Sequence, residues 1–332
     1  MNQENALPPS KPAHFYENTK WRLLSYAIWL ALILLVGVIG IIGDAGSISN
    51  LFGGKILSSI MQSWLYTAMV IPPMVMLVAS GHIDLSVGAV AGSVAVGTAY
   101  AMAETGAGGW VGILIALRTG FLIGILHGIL VGLLKVHSAI ATLGTATLLR
   151  GMTLQIAEQS LIAQDAKSLS WLTIPTVILL LIFIVAIIFM AEFTPLGKKR
   201  ASDLPNDEAW LPRLLRAAVP HLLVSLAASF AGLLMLARLQ VGTPNMGLGF
   251  EVNVLLPVLM AGIPLGGGLV NIIGAITASF FLALNDGLAV ISGSSFGQSL
   301  ASQGFQLLFF AGLGKLYLWG ADKIYQKRAT QK

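Results

Sequence analysis

Apolar stretches about as long as a bilayer is thick recur along this chain, and that recurrence limits the fold more than any other feature. A membrane-crossing helix needs about 20 mostly apolar residues. Ten such stretches can be drawn, over 23–43, 59–80, 86–103, 110–134, 138–157, 171–192, 219–238, 250–265, 269–291 and 304–321. Only 10% of the 332 residues are charged, against about 25% in a soluble domain. The runs are continuous rather than alternating, which argues against a transmembrane β-barrel. The expected fold is therefore all-α: a polytopic integral membrane helical bundle. A polar segment over 1–22 precedes it and a basic tail over 322–332 follows, with the membrane domain over 23–321. The first run has full span length and no small-residue cleavage site, so it is expected to remain as an anchor.

The basic residues orient the bundle. With the N-terminus in the cytoplasm, alternation puts 1–22, 135–137, 194–217 and 322–332 inside. These segments hold thirteen lysines and arginines, and the opposite side holds Lys55, Lys167 and, at a boundary, Arg238. That bias follows the positive-inside rule and favours an even span count with both termini cytoplasmic. The net charge of +5 belongs to span ends, so it does not point to nucleic acid. The absence of cysteine excludes disulfides and thiolate metal sites.

Between the second and third spans lies Ser80-Gly81-His82-Ile83-Asp84-Leu85-Ser86-Val87-Gly88, which gathers a carboxylate, an imidazole and hydroxyls. Ionisable groups at membrane depth are costly and therefore mark function. Asp84 or Ser86 reads equally well as the N-cap of the next helix. Thr142, Thr145 and Thr147 on the fifth span offer hydroxyls to a passing polar solute, yet threonine in a span also bonds back to its own helix. Asp84 and Arg150 are candidates for a pair across the bundle. Asn285-Asp286-Gly287 near the end of the ninth span reads as a helix stop or as a gate. The histidines at 82, 127, 137 and 221 lack metal-ligand spacing, and no nucleophile–base arrangement stands out.

Packing is also written in the chain. Gly120, Gly124, Gly128 and Gly132 recur every fourth residue, and Gly88 and Gly92 share that spacing. Such ladders let another helix approach closely.

Three segments together carry a family resemblance. They are Gly81-His82-Ile83-Asp84-Leu85-Ser86-Val87-Gly88, then Ile140-Ala141-Thr142-Leu143-Gly144-Thr145 with Arg150-Gly151, then Asn285-Asp286-Gly287-Leu288 with Gly293 to Gln298. In order and spacing they resemble the membrane permease subunits of ATP-binding-cassette importers for monosaccharides, the ribose-type branch, over about residues 50–320. The resemblance implies a bacterial cytoplasmic-membrane subunit that pairs with itself or a paralogue. It implies a solute-binding protein outside and two ATPase subunits inside, with no cofactor of its own. His82, Asp84, Ser86, Thr142, Thr145, Arg150, Asn285 and Asp286 become candidates for the path or its gates. Thr194-Pro195-Leu196-Gly197-Lys198 and Asn206-Asp207-Glu208-Ala209 resemble the loop and short helix that meet the ATPases, within a segment over 194–217. The chain itself carries no complete phosphate loop, since Gly314-Lys315 is followed by Leu316.

Departures from the family pattern are local. His127 stands where an asparagine is usual and His82 where a glycine is, and Arg200 to Pro205 lacks the usual glycine pair. Two rival expectations remain. An ion-coupled secondary transporter would need an intramembrane acid, with Asp84 the main candidate, and an internal inverted repeat. A non-transporting paralogue would only stabilise a partner permease.

Overall fold

A computed structural model describes residues 55–157, 161–162, 210–267, 270–291, 293–295 and 297–312. The expected spans over 23–43 and 171–192 and the whole of 194–209 lie outside the described residues. So do the coupling candidates Gly197, Lys198, Asn206, Asp207, Glu208 and Ala209.

The described elements are helical apart from one two-residue strand pair. Helix α1 spans Lys55–Ala79, α2 Val87–Thr105, α3 Trp110–His127 and α4 Ser138–Ile156. After strand β1 (Leu161–Ile162) come α5 (Trp210–Leu239), β2 (Val241–Gly242), α6 (Phe250–Met260) and α7 (Ile272–Ile291). Residues 297–312 are again helical. Among the described residues, four helical stretches are long and apolar enough to cross a membrane: Leu57–Ala79, Val87–Thr105, Trp110–Leu133 and Leu214–Leu239. The molecule is thus an all-α membrane protein.

Helices α1 and α5 carry internal prolines. Pro72 and Pro73 lie inside α1 and Pro220 inside α5, a placement tolerated in membrane helices where neighbours satisfy the freed groups. Helix α5 begins at Trp210, nine residues before the span expected over 219–238 and inside the expected 194–217 segment. Its Pro212 falls in the first turn, where a missing N–H costs little.

The expected span over 250–265 is not a full crossing. Helix α6 has 11 residues, about 16 Å of rise against a hydrocarbon core of about 30 Å. The chain reaches it through a non-helical segment over 241–249, with Gly247 at φ 72° and Gly249 at φ 79°. Non-helical backbone at such depth is stable only when buried in protein or lining a cavity. Here it runs along α2: Gly242 lies against Ala99 and Val96, the Met246 carbonyl against Gly92, and Gly247 against the Gly88 carbonyl.

The core sits where α1, α2, α5 and α6 meet, built from side chains such as Val70, Met74, Leu77, Val90, Val94, Val224, Leu236 and Val254. Helix α3 packs antiparallel to α5 through bare backbone. A Cβ at Gly128, Gly124 or Gly120 would overlap Ala218, Leu222 or Leu226, and one at Gly112 would overlap Leu233. The glycine ladder is therefore a helix-packing seam, as its spacing predicts. Gly132 is buried in the π-helical turn Gly128–Leu133 that ends this crossing. Gly88 and Gly92 do different work, since what approaches them is the 241–249 segment and the Glu251 carboxylate rather than a helix.

Candidate functional site

The junction between α1 and α2 is the most polar buried place among the described residues. Helix α1 ends in a Schellman motif: the Gly81 N–H donates to the Val78 carbonyl at 2.9 Å and the His82 N–H to the Leu77 carbonyl at 3.1 Å. This closure needs a left-handed residue, and Gly81 supplies it at φ 87°. The chain then runs to Ser86 along the first turns of α4. The Ile83 N–H donates to Ser138 Oγ and the Leu85 N–H to Thr142 Oγ1, each at 3.1 Å. Ser138, Thr142 and Thr145 lie at helical spacing on one buried face of α4, so alternate amides of the junction meet successive turns.

Asp84 is completely buried. Its Oδ1 accepts from the Ser86 N–H at 2.7 Å and from the Ser86 hydroxyl at 2.6 Å. Its Oδ2 faces His127 Nδ1 at 3.5 Å, and neither of those two atoms has another partner. Burial alone pushes the Asp84 carboxyl up; the imidazoles of His127 and His221 and the Ser86 hydroxyl outweigh it and hold the group below its usual range. The capping expectation is not met. Ser86 is the N-cap of α2, yet its side chain makes no cap bond. Asp84 binds that N-cap residue instead.

His127 comes from the end of α3, where Gly124 and Gly128 bring the helix against α5. Its Nε2 lies 3.0 Å from Thr145 Oγ1. His221, on α5, is also fully buried and donates from Nδ1 to the Ala217 carbonyl at 2.7 Å. Its ring centroid lies 5.5 Å from that of His127 and 5.8 Å from that of His82. His82 is half-buried; burial, then the neighbouring His137, hold its imidazole below the usual 6.5.

Asp84 and Arg150 do not pair. Arg150 leaves α4 more than a turn further along and donates to the Met246 carbonyl at 2.5 Å. Its guanidinium and the Glu251 carboxylate both flank Gly88. The arginine thus pins the non-helical 241–249 segment to α4. A backbone acceptor explains this partnership better than any side-chain charge, because a buried carbonyl without a donor is itself costly.

The threonines bond back to their own helix: Thr142 to Ser138, Thr145 to Ala141, Thr147 to Leu143 and Thr153 to Leu149. Thr142 and Thr145 are buried and also receive the bonds described above, whereas Thr147 is exposed. Asp286 Oδ2 accepts from Gln303 Nε2 at 3.1 Å and so ties α7 to the 297–312 helix. Asn285, beside it, is half-buried. Sequence reasoning singled out Asp84, Ser86, Thr142, Thr145 and Arg150 but set His127 and His221 aside with the metal question. A signal was present: small residues lie within a turn of each histidine, Gly124 and Gly128 around one and Ala217 and Ala218 before the other, as a close helix crossing requires.

Buried ionisable groups at helix ends and non-helical backbone wedged between helices are features from which helical membrane proteins build transport sites. No protein-family model and no solved structure matches the chain. It is 30% identical over 244 residues to the ribose import permease protein RbsC of Bacillus subtilis strain 168, covering 68% of this chain and 74% of that one. It is 28% identical over 306 residues to the RbsC protein of Escherichia coli strain K12, covering 85% and 91%. The galactofuranose transporter permease protein YtfT of the same strain is 29% identical over 259 residues, covering 72% and 73%. The chain belongs to the ribose-type permease family of ATP-binding-cassette importers. It is a membrane permease subunit and not an enzyme.

Proposed function

We propose that the solute is a monosaccharide, carried through a ten-span subunit of the bacterial cytoplasmic membrane whose two termini are cytoplasmic. The observation that carries the substrate class is the similarity to permeases named for ribose and for galactofuranose. Orientation rests on the basic residues of 1–22, 135–137, 194–217 and 322–332. In that frame the Asp84 junction, Lys135 and the first turns of α5 share the cytoplasmic end, and Arg150 lies further from it. Helix α5 then leads directly out of the 194–209 segment, where Gly197, Lys198 and Asn206 to Ala209 are proposed to meet the ATPases.

The chain works as one half of a pair, with itself or a paralogue, and receives sugar from an external binding protein. His82, Asp84, Ser86, Thr142, Thr145, Arg150, Asn285 and Asp286 are proposed to line or gate the path. A sugar needs hydroxyl-compatible partners and no covalent chemistry, and this set supplies donors and acceptors without a nucleophile. Lipid surrounds the exposed apolar residues, such as Leu143, Leu148 and Met152 on α4.

Co-purification in mild detergent tests the reading. A stoichiometric ATPase whose hydrolysis rises with a sugar-loaded binding protein is the expected result. A chain that purifies alone and moves solute under an ion gradient would overturn it. Glu208→Lys should weaken ATPase association in a pull-down, and an intact complex would remove the proposed contact.

A further inference from the structure

The one carboxylate buried at the α1–α2 junction has no lysine or arginine as its ion-pair partner among the described residues; the group opposite its Oδ2 is an imidazole. A buried charge without a counter-charge is expensive, and an imidazole is a counter-charge only when it carries an extra proton. The hydrogen bonds point the same way. Thr145 donates its hydroxyl proton to the Ala141 carbonyl at 2.9 Å. The Thr145 oxygen then accepts from His127 Nε2–H at 3.0 Å. A neutral His127 in that tautomer turns a bare Nδ1 toward Asp84 Oδ2, lone pair against lone pair. One more proton between these two atoms removes the conflict and neutralises the cluster. A second imidazole is close by. His221 spends Nδ1–H on the Ala217 carbonyl, and its buried Nε2 has no partner.

We infer that Asp84, His127 and His221 form a buried proton-binding site, and that the bound proton latches the α1–α2 junction onto α3, α4 and α5. With the proton present, an imidazolium–carboxylate pair joins the junction to the end of α3. Its loss leaves a carboxylate with two hydrogen bonds and no counter-charge, and the junction loosens. The titratable groups facing the site are His82 from the junction itself and His137 from the start of α4, the latter acting on His82. On the flanking elements, Lys135 is exposed and Arg216 lies on α5 before His221. The inference does not depend on which solute is carried.

Nitrogen NMR on the full chain in lipid nanodiscs, labelled at its five histidines, tests the site directly. One imidazole is expected to keep hydrogen on both ring nitrogens at a pH where an ordinary histidine has lost the second. That signal should vanish in His127→Gln and fall back to ordinary titration in Asp84→Asn. A neutral ring with one bare nitrogen at that pH, unchanged by Asp84→Asn, would overturn the inference. Should His127→Gln fail to fold, Thr145→Val serves in its place. It frees the tautomer, so a neutral His127 can donate from Nδ1 to Asp84, and the doubly protonated signal should be lost. Its persistence in Thr145→Val would equally overturn the inference. In the importer reconstituted with its ATPases, uptake should show a reversible alkaline limb that is absent from Asp84→Asn; the same limb in that variant would rule out the latch.

Discussion

The α3–α5 seam and the α1–α2 junction hold the same bundle together by opposite means. At the seam, contact is made by removing side chains: Gly112, Gly120, Gly124 and Gly128 let α5 lie against bare helix. Association in lipid then rests on van der Waals contact, since apolar burial alone supplies no drive between helices already in hydrocarbon. At the junction, contact is made by polar side chains that reach across: Ser138, Thr142, Thr145, His127 and Asp84. The seam is insensitive to solution conditions and intolerant of volume. The junction answers to protonation. A transporter needs both, a fixed axis and an adjustable contact at one end of it.

The comparison can be broken most sharply at Gly124. A valine there overlaps the Leu222 backbone, and overpacking that backbone cannot relieve costs about 3 kcal/mol. Gly124→Val should give aggregated protein on size exclusion in detergent; a monodisperse peak with an unchanged melting temperature would show that the seam is not rigid. Next comes Arg150→Met, which leaves the Met246 carbonyl without its donor. The loss should be about 1–2 kcal/mol after allowance for partial exposure of the guanidinium. Limited proteolysis should then cut within 241–249, and an unaltered digestion pattern would mean that the segment is held by glycine contacts alone.

Smaller effects separate the two regions further. Asp84→Asn keeps an oxygen for the Ser86 N–H while removing the charge, so stability should fall by about 1 kcal/mol and sugar uptake with it. Unchanged uptake at normal expression would reduce Asp84 to a structural brace. His82 gives the junction an acid-side dependence. Because the folded protein holds its imidazole below the usual 6.5, the unfolded chain binds the proton first, and stability falls as pH drops through 6.5. His82→Gln should flatten that limb in a melting-temperature series, whereas an equally steep slope would locate it in another group. Smallest is Gly144→Ala on the outer face of α4, where an added Cβ meets nothing within 4 Å. Its melting temperature should not fall, and its stability should gain at most about 0.5–1 kcal/mol from the better helix propensity of alanine; a large loss would mean that α4 is covered.

Most of the bundle was legible because its signals are local. Apolar runs gave α1 to α4 to within a few residues, and a four-residue glycine period gave the seam, since helix geometry alone decides which residues share a face. The short α6 was not legible. Its apolar residues continue to Leu265, and only Gly247, Gly249 and Gly262 at positive φ mark where the helix must begin and stop. Within the site, residues from the junction and α4 were found because polarity stands out against apolar neighbours. The pairing failed because charge alone suggested Arg150 for Asp84. The actual partners are a histidine on another helix and, for the arginine, a main-chain carbonyl, which no residue type announces. His127 and His221 become meaningful only once the crossing of α3 and α5 sets their rings side by side.

Helix α5 has 30 residues, about 45 Å of length against a hydrocarbon core of about 30 Å. Its grip on α3 runs from Ala218 to Leu233, while Trp210, Leu211 and Leu215 at its start are exposed. A stiff rod held along its middle with one end protruding is a lever, and the glycine seam is its fulcrum. A push on the protruding turns is felt first at Ala217 and His221, just inside the pivot. The same push reaches Arg238, bonded to Ser59 and Ser63 at the start of α1, with reversed direction. One rigid helix can thus close a contact at one end of the bundle while opening another at the far end.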